Sequence, residues 1–338
     1  MSAPRRPARL HEVAREAGVH VSTASRVIND AHDASVRPET RERILAAARK
    51  LNYRPNAMAR GLRLRATGAI GFLVPSLRNP VNSPVARSAV ARAWERGFVV
   101  LLAEDYGDEA AQAAYERLVV QHRIDGLLIQ SARMGAPFFD HFDDGHVPCV
   151  FVDRAHTTAG RNVTMRDEDA GRLAVDHLAA LGHRGVGHIA GPADLDTIER
   201  RRRGFIARAG ELGLEIAVLE APLDERAGYE AYAAIVARAP SLTALYVANF
   251  NQSIGVLAAV RAGGRRIPSD ISILSHDDDP LAEFLDAPLT AIEMPLGRLG
   301  AVAVDALIDQ IEGGRAEDRL LSDEPRIVDR GSTAVPRE

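Results

Sequence analysis

Apolar residues in the first fifty positions recur at helical spacing. Leu10, Val13, Ala14 and Ala17 make one stripe, and Val19, Val21, Ala24, Val27 and Ile28 make a second, with Gly18 between them. That pattern predicts two short helices joined by a tight turn, because glycine takes the left-handed conformation that ends one helix and redirects the chain into the next. A third helix is predicted from Pro38, with Ile44, Leu45, Ala48 and Leu51 on one stripe to close a small core. Pro55 stops it and opens a basic, alanine-containing segment of about eight residues, too short to stay helical alone in water.

Beyond Arg65 the period changes. Short continuous apolar runs at 69–75, 97–104, 125–130 and 147–153 alternate with helical patterns near 85–96, 109–122 and 136–142. A second series follows, with apolar runs at 185–191, 216–221, 244–249 and 271–276 and helical patterns near 168–181, 199–212, 226–237 and 253–262. Uninterrupted apolar strands alternating with helices imply parallel sheets covered on both faces, and two such sets imply two Rossmann-like lobes. Ligands of such sheets bind beyond the carboxyl ends of the strands, which here means a cleft between the lobes.

The net charge of −4 hides an asymmetry: residues 1–65 hold 14 Lys+Arg against 6 Asp+Glu, and the remainder holds 28 against 40. A basic head on an acidic body fits a head that alone touches a polyanion, although a charged, solvated tail gives the same count. The pattern inside the head separates the two. Small Ala14 lets the second helix pack closely, and Ala24 and Val27 face it, which is the helix-turn-helix arrangement whose second helix enters the major groove. On that helix Val21, Ser22 and Arg26 project together away from the apolar face. A guanidinium can pair with a guanine edge, a hydroxyl with several bases, and valine with a thymine methyl. His20, Thr23, Ser25 and Asn29 suit phosphate contacts, which fix register without reading sequence. Arg41, Arg43 and Arg49 add a basic outer face to the third helix. A surface helical hairpin with no nucleic-acid role is the alternative, and the agreement of small, turn and polar positions disfavours it.

The runs VAREAGVHVSTASRVIN and RPETRERILAAARKLNYRPNAMARGL resemble the signature of the LacI/GalR family of repressors, and the resemblance extends over essentially the whole chain. It implies an all-α helix-turn-helix DNA-binding domain at 1–54, a hinge helix at 55–65, and a two-lobed α/β effector-binding and dimerisation domain of the periplasmic-binding-protein type I fold at 66–338. The amino-terminal lobe would comprise 66–162 and 293–321, and the carboxyl-terminal lobe 163–292 and 322–338, with crossings near 161–163, 291–294 and 320–324. Hinge helices in this family order as a pair in the minor groove; the resemblance puts the wedging leucine at Leu62 and the contact with the mate at Ala59. Effector contacts carry over to Asn82, Gln130, Ser131, Asp153, Arg154, Thr197, Arg201, Asn249 and Asp277. Carboxylates, amides and guanidinium groups on one cleft suit a polyhydroxylated ligand, a sugar or sugar derivative. The implied partners are a pseudo-palindromic double-stranded DNA operator, a second copy of the chain in a homodimer, and a small-molecule effector, with no cofactor. Several positions depart from the family pattern. Arg9, His20 and Arg37 stand where short capping residues are usual, Val81 and Asn82 where many relatives carry paired aromatics, and Phe250 where an acidic residue is common.

The chain has no run of eighteen apolar residues and no hydrophobic stretch at its start, so neither membrane insertion nor export is expected, and the place of action is the cytoplasm. Cys149 is the single cysteine and lies in an apolar run, which reads as a buried, inert thiol. An enzyme and an exported solute-binding protein are the rival readings of a two-lobed α/β chain. Lys50, the only lysine, does not follow glycine, so no Walker-type loop exists, and no nucleophile-elbow or zinc-ligand spacing appears. The acidic run His276–Asp279 could imitate a metal site, yet it follows a strand where the resemblance places a ligand-contacting aspartate. A regulator without enzymatic activity is therefore expected, and the basic head argues against the solute-binding protein.

Overall fold

The computed structural model describes residues 8–29, 36–53, 67–105, 117–118, 121, 123–134, 147–156 and 160–337. The chain divides into two compact units, Met1–Thr67 and Gly68–Glu338. Ala59 and Leu62, and most of the helical patterns expected at 109–122 and 136–142, lie outside the described residues.

The first unit holds α1 (Leu10–Glu16), α2 (Val21–Asn29) and α3 (Pro38–Lys50) around a core of Val13, Ala14, Ala24, Val27 and Ile44. Gly18 adopts a φ of +64°, the left-handed turn between α1 and α2 that only glycine takes without strain. The absent short caps are replaced in different ways. At α1 the Glu12 carboxylate accepts from the Arg9 backbone N–H at 2.6 Å, and at α3 Pro38 occupies the first turn, where its missing N–H costs nothing.

The second unit contains two six-stranded sheets. The first has the order β11-β5-β4-β3-β1-β2 and the second β12-β10-β9-β8-β6-β7. The first sheet is built from β1 (Ala69–Val74), β2 (Val99–Glu104), β3 (Leu127–Ile129), β4 (Cys149–Val152), β5 (Asn162–Thr164) and β11 (Arg319–Leu320). The second is built from β6 (Gly185–Ala190), β7 (Glu215–Glu220), β8 (Ala244–Val247), β9 (Ser272–His276), β10 (Thr290–Glu293) and β12 (Arg326–Val328). All pairings are parallel except β10 with β12. Covering helices are α4 (Asn82–Glu95), α5 (Asp167–Ala180), α6 (Asp196–Leu212), α7 (Glu225–Arg238), α8 (Phe250–Ala262) and α9 (Leu296–Ile311). Strands β1, β3, β4, β6, β8 and β9 are buried along their length, as continuous apolar runs between two helical layers must be.

The chain changes sheet three times, after β5, after β10 and after β11. The first change falls two to three residues later than 161–163, because Asn162–Thr164 adds a strand beside β4 and Val163 is fully buried there. Helix α9 was not anticipated from the pattern. Its buried residues Leu296, Leu299, Ala303, Val304, Leu307 and Ile308 recur three and four apart and make one inward stripe. No helix among the described residues is long and apolar enough to cross a membrane.

Candidate functional site

On the head, Val21, Ser22 and Arg26 all face outward, Val21 with 40% of its surface exposed. The three side chains are therefore open to a groove, as base-reading residues must be. His20 does something the sequence did not announce. Its Nδ1 lies 2.8 Å from the Ser22 hydroxyl and accepts from the Ser22 backbone N–H at 3.3 Å, so the ring caps the start of α2, while the exposed Ser22 oxygen keeps its acceptor capacity. Thr23 is half-buried. Ser25, expected at a phosphate, is 6% exposed. The side chain of Asn29 lies outside the described residues. On α3, Arg43 and Arg49 are exposed as expected, whereas Arg41 is half-buried.

In the body, the predicted effector residues gather at the carboxyl ends of strands and the first turns of helices. Gln130 and Ser131 follow β3, Asp153 and Arg154 follow β4, Asn249 follows β8 and Asp277 follows β9, while Asn82 and Thr197 sit in the first turns of α4 and α6. All are buried, as is Arg201 one turn along α6. Strand order reverses between β1 and β3 in one sheet and between β6 and β8 in the other, the points where doubly wound sheets hold ligands. Asp153 and Asp277 carry φ values of +70° and +66°. A left-handed aspartate costs about 1 kcal/mol or more and persists where its surroundings demand it, so its occurrence at the last turn of one strand in each sheet marks the cleft.

The charges interlock. Arg201 donates to Asp167 Oδ1 at 2.7 Å and to the Ala248 carbonyl at 3.1 Å. Arg200 pairs with Asp167 at 2.7 Å and with Asp196 at 3.0 Å, and donates to the carbonyls of Met165 at 2.7 Å and Asp153 at 2.9 Å. Arg200 and Asp167 were missed by the sequence reading. Asp167 is fully buried in the first turn of α5, just after the lobe crossing. Burial and the neighbouring Asp167 raise the Asp153 carboxyl to about 6. Burial raises Asp277 to about 7, against the opposing pull of Arg201. Behind Asp277 runs an enclosed aromatic chain: His188 stacks on Tyr246 at 4.6 Å, and the Tyr246 hydroxyl lies 2.8 Å from His276 Nδ1. Burial lowers His188 to about 4 and pushes His276 far below its ordinary range, so both rings are neutral.

Not every predicted contact is free to meet a ligand. Asn249 spends Oδ1 on the Gln252 N–H as the cap of α8 and donates through Nδ2 to the Leu223 carbonyl. The Asn82 amide donates to the Ser76 carbonyl. In contrast Gln130 Oε1, Ser131 Oγ, Asp153 Oδ1 and Asp277 Oδ1 are enclosed with no hydrogen-bond partner among the described residues. Buried polar atoms are rarely left so, and oxygens converging from both lobes call for a ligand rich in donors.

Residues 9–56 match the family described as bacterial regulatory proteins, lacI family, and residues 175–333 match the periplasmic binding protein-like domain. Over 333 residues, 97% of each chain, the sequence is 31% identical to the HTH-type transcriptional repressor PurR of Edwardsiella ictaluri. Among solved structures it resembles the lac repressor dimer bound to operator and the anti-inducer ONPF, with a TM-score of 0.85 at 29% identity over 97% of this chain and 100% of that one. It also resembles the transcriptional regulator CelR in complex with cellobiose, with a TM-score of 0.74 at 28% identity over 97% and 100% of the two chains.

Proposed function

Because this chain belongs to the LacI family of bacterial regulatory proteins, and is on that footing a DNA-binding transcriptional regulator of the repressor type, we propose that a polyhydroxylated effector bound between its lobes sets its affinity for operator DNA. The observation that carries the effector class is the set of buried oxygens on Gln130, Ser131, Asp153 and Asp277 that have no hydrogen-bond partner among the described residues, which match the hydroxyl donors of a sugar or polyol. The likeness to a regulator complexed with cellobiose supports the same class.

Val21, Ser22 and Arg26 read base edges from α2, and His20 and Thr23 lie against the phosphates. The segment at 55–65 orders on DNA as the hinge, with Leu62 wedging the central base step and Ala59 against its dimer mate. Residues 1–54 are the DNA-binding domain and 66–338 the sensing and dimerising one. Two copies bind a pseudo-palindrome, since a two-fold protein matches a two-fold site. Closure of the lobes alters the spacing of the paired hinges, which couples the two ligands reciprocally. The chain works as a regulator and not as a catalyst, in the cytoplasm where its DNA lies.

Selection of duplexes from a random library, repeated with Arg26→Ala and with added monosaccharides, disaccharides and polyols, tests this reading. A defined half-site should emerge, Arg26→Ala should relax it at one base pair by about 1–3 kcal/mol, and at least one carbohydrate should change retention. Recovery of no preferred sequence, or indifference to every carbohydrate, would overturn it.

A further inference from the structure

Strands β6, β8 and β9 place three polar side chains on one face of the second sheet: His188, Tyr246 and His276, all fully buried. His188 and Tyr246 are partners in the strand register, and His276 lies two residues past Leu274, the partner of Tyr246 on β9, so the three share a face. Phe205 of α6 covers that face, with its ring 5.0 Å from His188 and 6.0 Å from Tyr246. The surroundings are otherwise apolar, with Val186, Phe205, Ala244 and Leu274 in the same core. Polar atoms in such a place are costly unless each finds a partner.

The partners fix where the protons sit. A carbonyl only accepts, so His188 Nδ1, 3.0 Å from the Tyr246 carbonyl, carries its ring proton. Burial pushes the Tyr246 hydroxyl far above its ordinary range, so it keeps its proton, and its hydrogen-bond partner among the described residues is His276 Nδ1 at 2.8 Å. A hydroxyl donating to Nδ1 leaves the proton of the neutral His276 ring on Nε2. That nitrogen lies 3.5 Å from Asp277 Oδ1, and both atoms are enclosed without a hydrogen bond from any described residue. A donor and an acceptor facing each other in this way need to approach by only about 0.5 Å to join. The opposite tautomer would set a bare nitrogen against the carboxyl and leave the Tyr246 proton without an acceptor.

We propose that Tyr246 and His276 are positioning residues for effector recognition: the hydroxyl fixes the ring tautomer, and the ring N–H holds the Asp277 carboxylate as an acceptor for an effector hydroxyl. This rests on the reading of Asp277 as an effector contact and adds what supports it from behind. An ionised carboxylate accepts at both oxygens and makes the stronger bonds, so one oxygen held by Nε2–H leaves the other for the ligand. Burial, with Asp153 after β4 and Asp167 on α5, raises the Asp277 carboxyl to about 7 against the pull of Arg201 on α6. His276 faces Arg201, His188 and Tyr246 and stays neutral. A donor behind the carboxylate favours the ionised form, so removing it drives the carboxyl higher still.

The test is nuclear magnetic resonance of the full-length protein carrying nitrogen-labelled histidine and carboxyl-labelled aspartate, with His276→Gln and Asp277→Asn to assign the signals. At pH 8 the wild-type His276 ring should carry its proton on Nε2, and this readout decides even if a variant fails to fold. His276→Leu should move the Asp277 titration midpoint up by about one pH unit or more, and Tyr246→Phe should move it less in the same direction. His276→Gln keeps an amide N–H near the place of Nε2 and should bring the midpoint back toward the wild type. A histidine that only fills space would leave the midpoint unmoved in all three variants. Calorimetry with glucose, cellobiose and sorbitol reads the consequence: a probe that binds the wild type should gain about threefold to tenfold in affinity from pH 6 to pH 8, and at pH 8 His276→Leu should bind it about threefold more weakly or worse. A ring proton on Nδ1 at pH 8, or an Asp277 midpoint indifferent to His276→Leu, overturns the proposal, as does a bound probe whose affinity ignores the displaced midpoint. The expected tautomer and midpoints with no binding of any carbohydrate or polyol overturn the carbohydrate reading and keep the hold of His276 on Asp277.

Discussion

Asp277 concentrates three unfavourable features in one residue: a left-handed backbone, near-complete burial, and a carboxyl oxygen with no hydrogen bond from any described residue, the neutral His276 Nε2 lying 3.5 Å away. Its carboxyl is raised from the ordinary 3.8 to about 7, so between those values the folded protein holds a proton that the unfolded chain has released. An acid raised on folding makes the native state less stable as pH climbs through that window, and the loss is complete above the folded value. His188 and His276 work in the opposite direction, since their lowered values make acidification costly. The contribution of Asp277 is therefore best seen by difference. Asp277→Asn, which cannot ionise, should match the wild type near pH 4 and exceed it by on the order of 1–3 kcal/mol near pH 8, by denaturant titration at each pH. A constant difference across that range would disprove the assignment. The position of Asp277 was legible in the sequence because a polar residue ends a buried strand, and Asp153 was legible for the same reason. Asp167 and Arg200 were not, because an acid inside the helical run DEDAG and one arginine among four look like ordinary surface charge until the lobes are brought together.

Those charges are placed by helices that approach more closely than ordinary side chains allow. Gly171 on α5 and Gly204 on α6 face each other: a Cβ on Gly171 would lie 2.1 Å from the Arg201 carbonyl, and one on Gly204 would lie 2.0 Å from the Glu168 carbonyl. The contact is backbone to backbone, so no rotamer change relieves it. The same crossing sets Asp167 against Arg200 and Arg201. Gly204→Ala should cost about 1–3 kcal/mol or more by overpacking, and it should also weaken effector binding by shifting Arg201, measured by denaturation and calorimetry. Stability and binding both at wild-type level would show that the helices can part freely. Strand positions were legible as short continuous apolar runs, and α9 was legible as well, since its buried Leu296, Leu299, Ala303, Val304, Leu307 and Ile308 recur three and four apart. Caps were legible only as absences. That His20 and Glu12 would replace the missing short residues depends on side-chain reach, which spacing does not reveal.

For the whole molecule, the proposed reading requires one cleft to govern an operator with two halves. Helix α4 and the edge strand β2 expose Trp94 at 76%, Val90 at 48%, Val99 at 53%, Leu101 at 49% and Leu102 at 42%. Scattered apolar residues on a surface mean little, but Trp94 and Val90 on one helix and Val99, Leu101 and Leu102 on its adjoining edge strand concentrate exposed apolar surface at one edge of the sheet. A second copy covering this face would put two heads on one duplex, and the gain from linking two half-site contacts is multiplicative, since the second becomes intramolecular. Trp94→Glu places a charge at the centre of that face. It should shift the protein to monomer in sedimentation equilibrium and lower operator affinity by at least about a hundredfold, with effector affinity per chain kept within about threefold because the cleft lies within each chain. The split between these readouts is the informative part. Dimers that survive Trp94→Glu with full operator affinity would place the subunit contact elsewhere, and monomers that keep operator affinity would mean that each head grips its half-site alone.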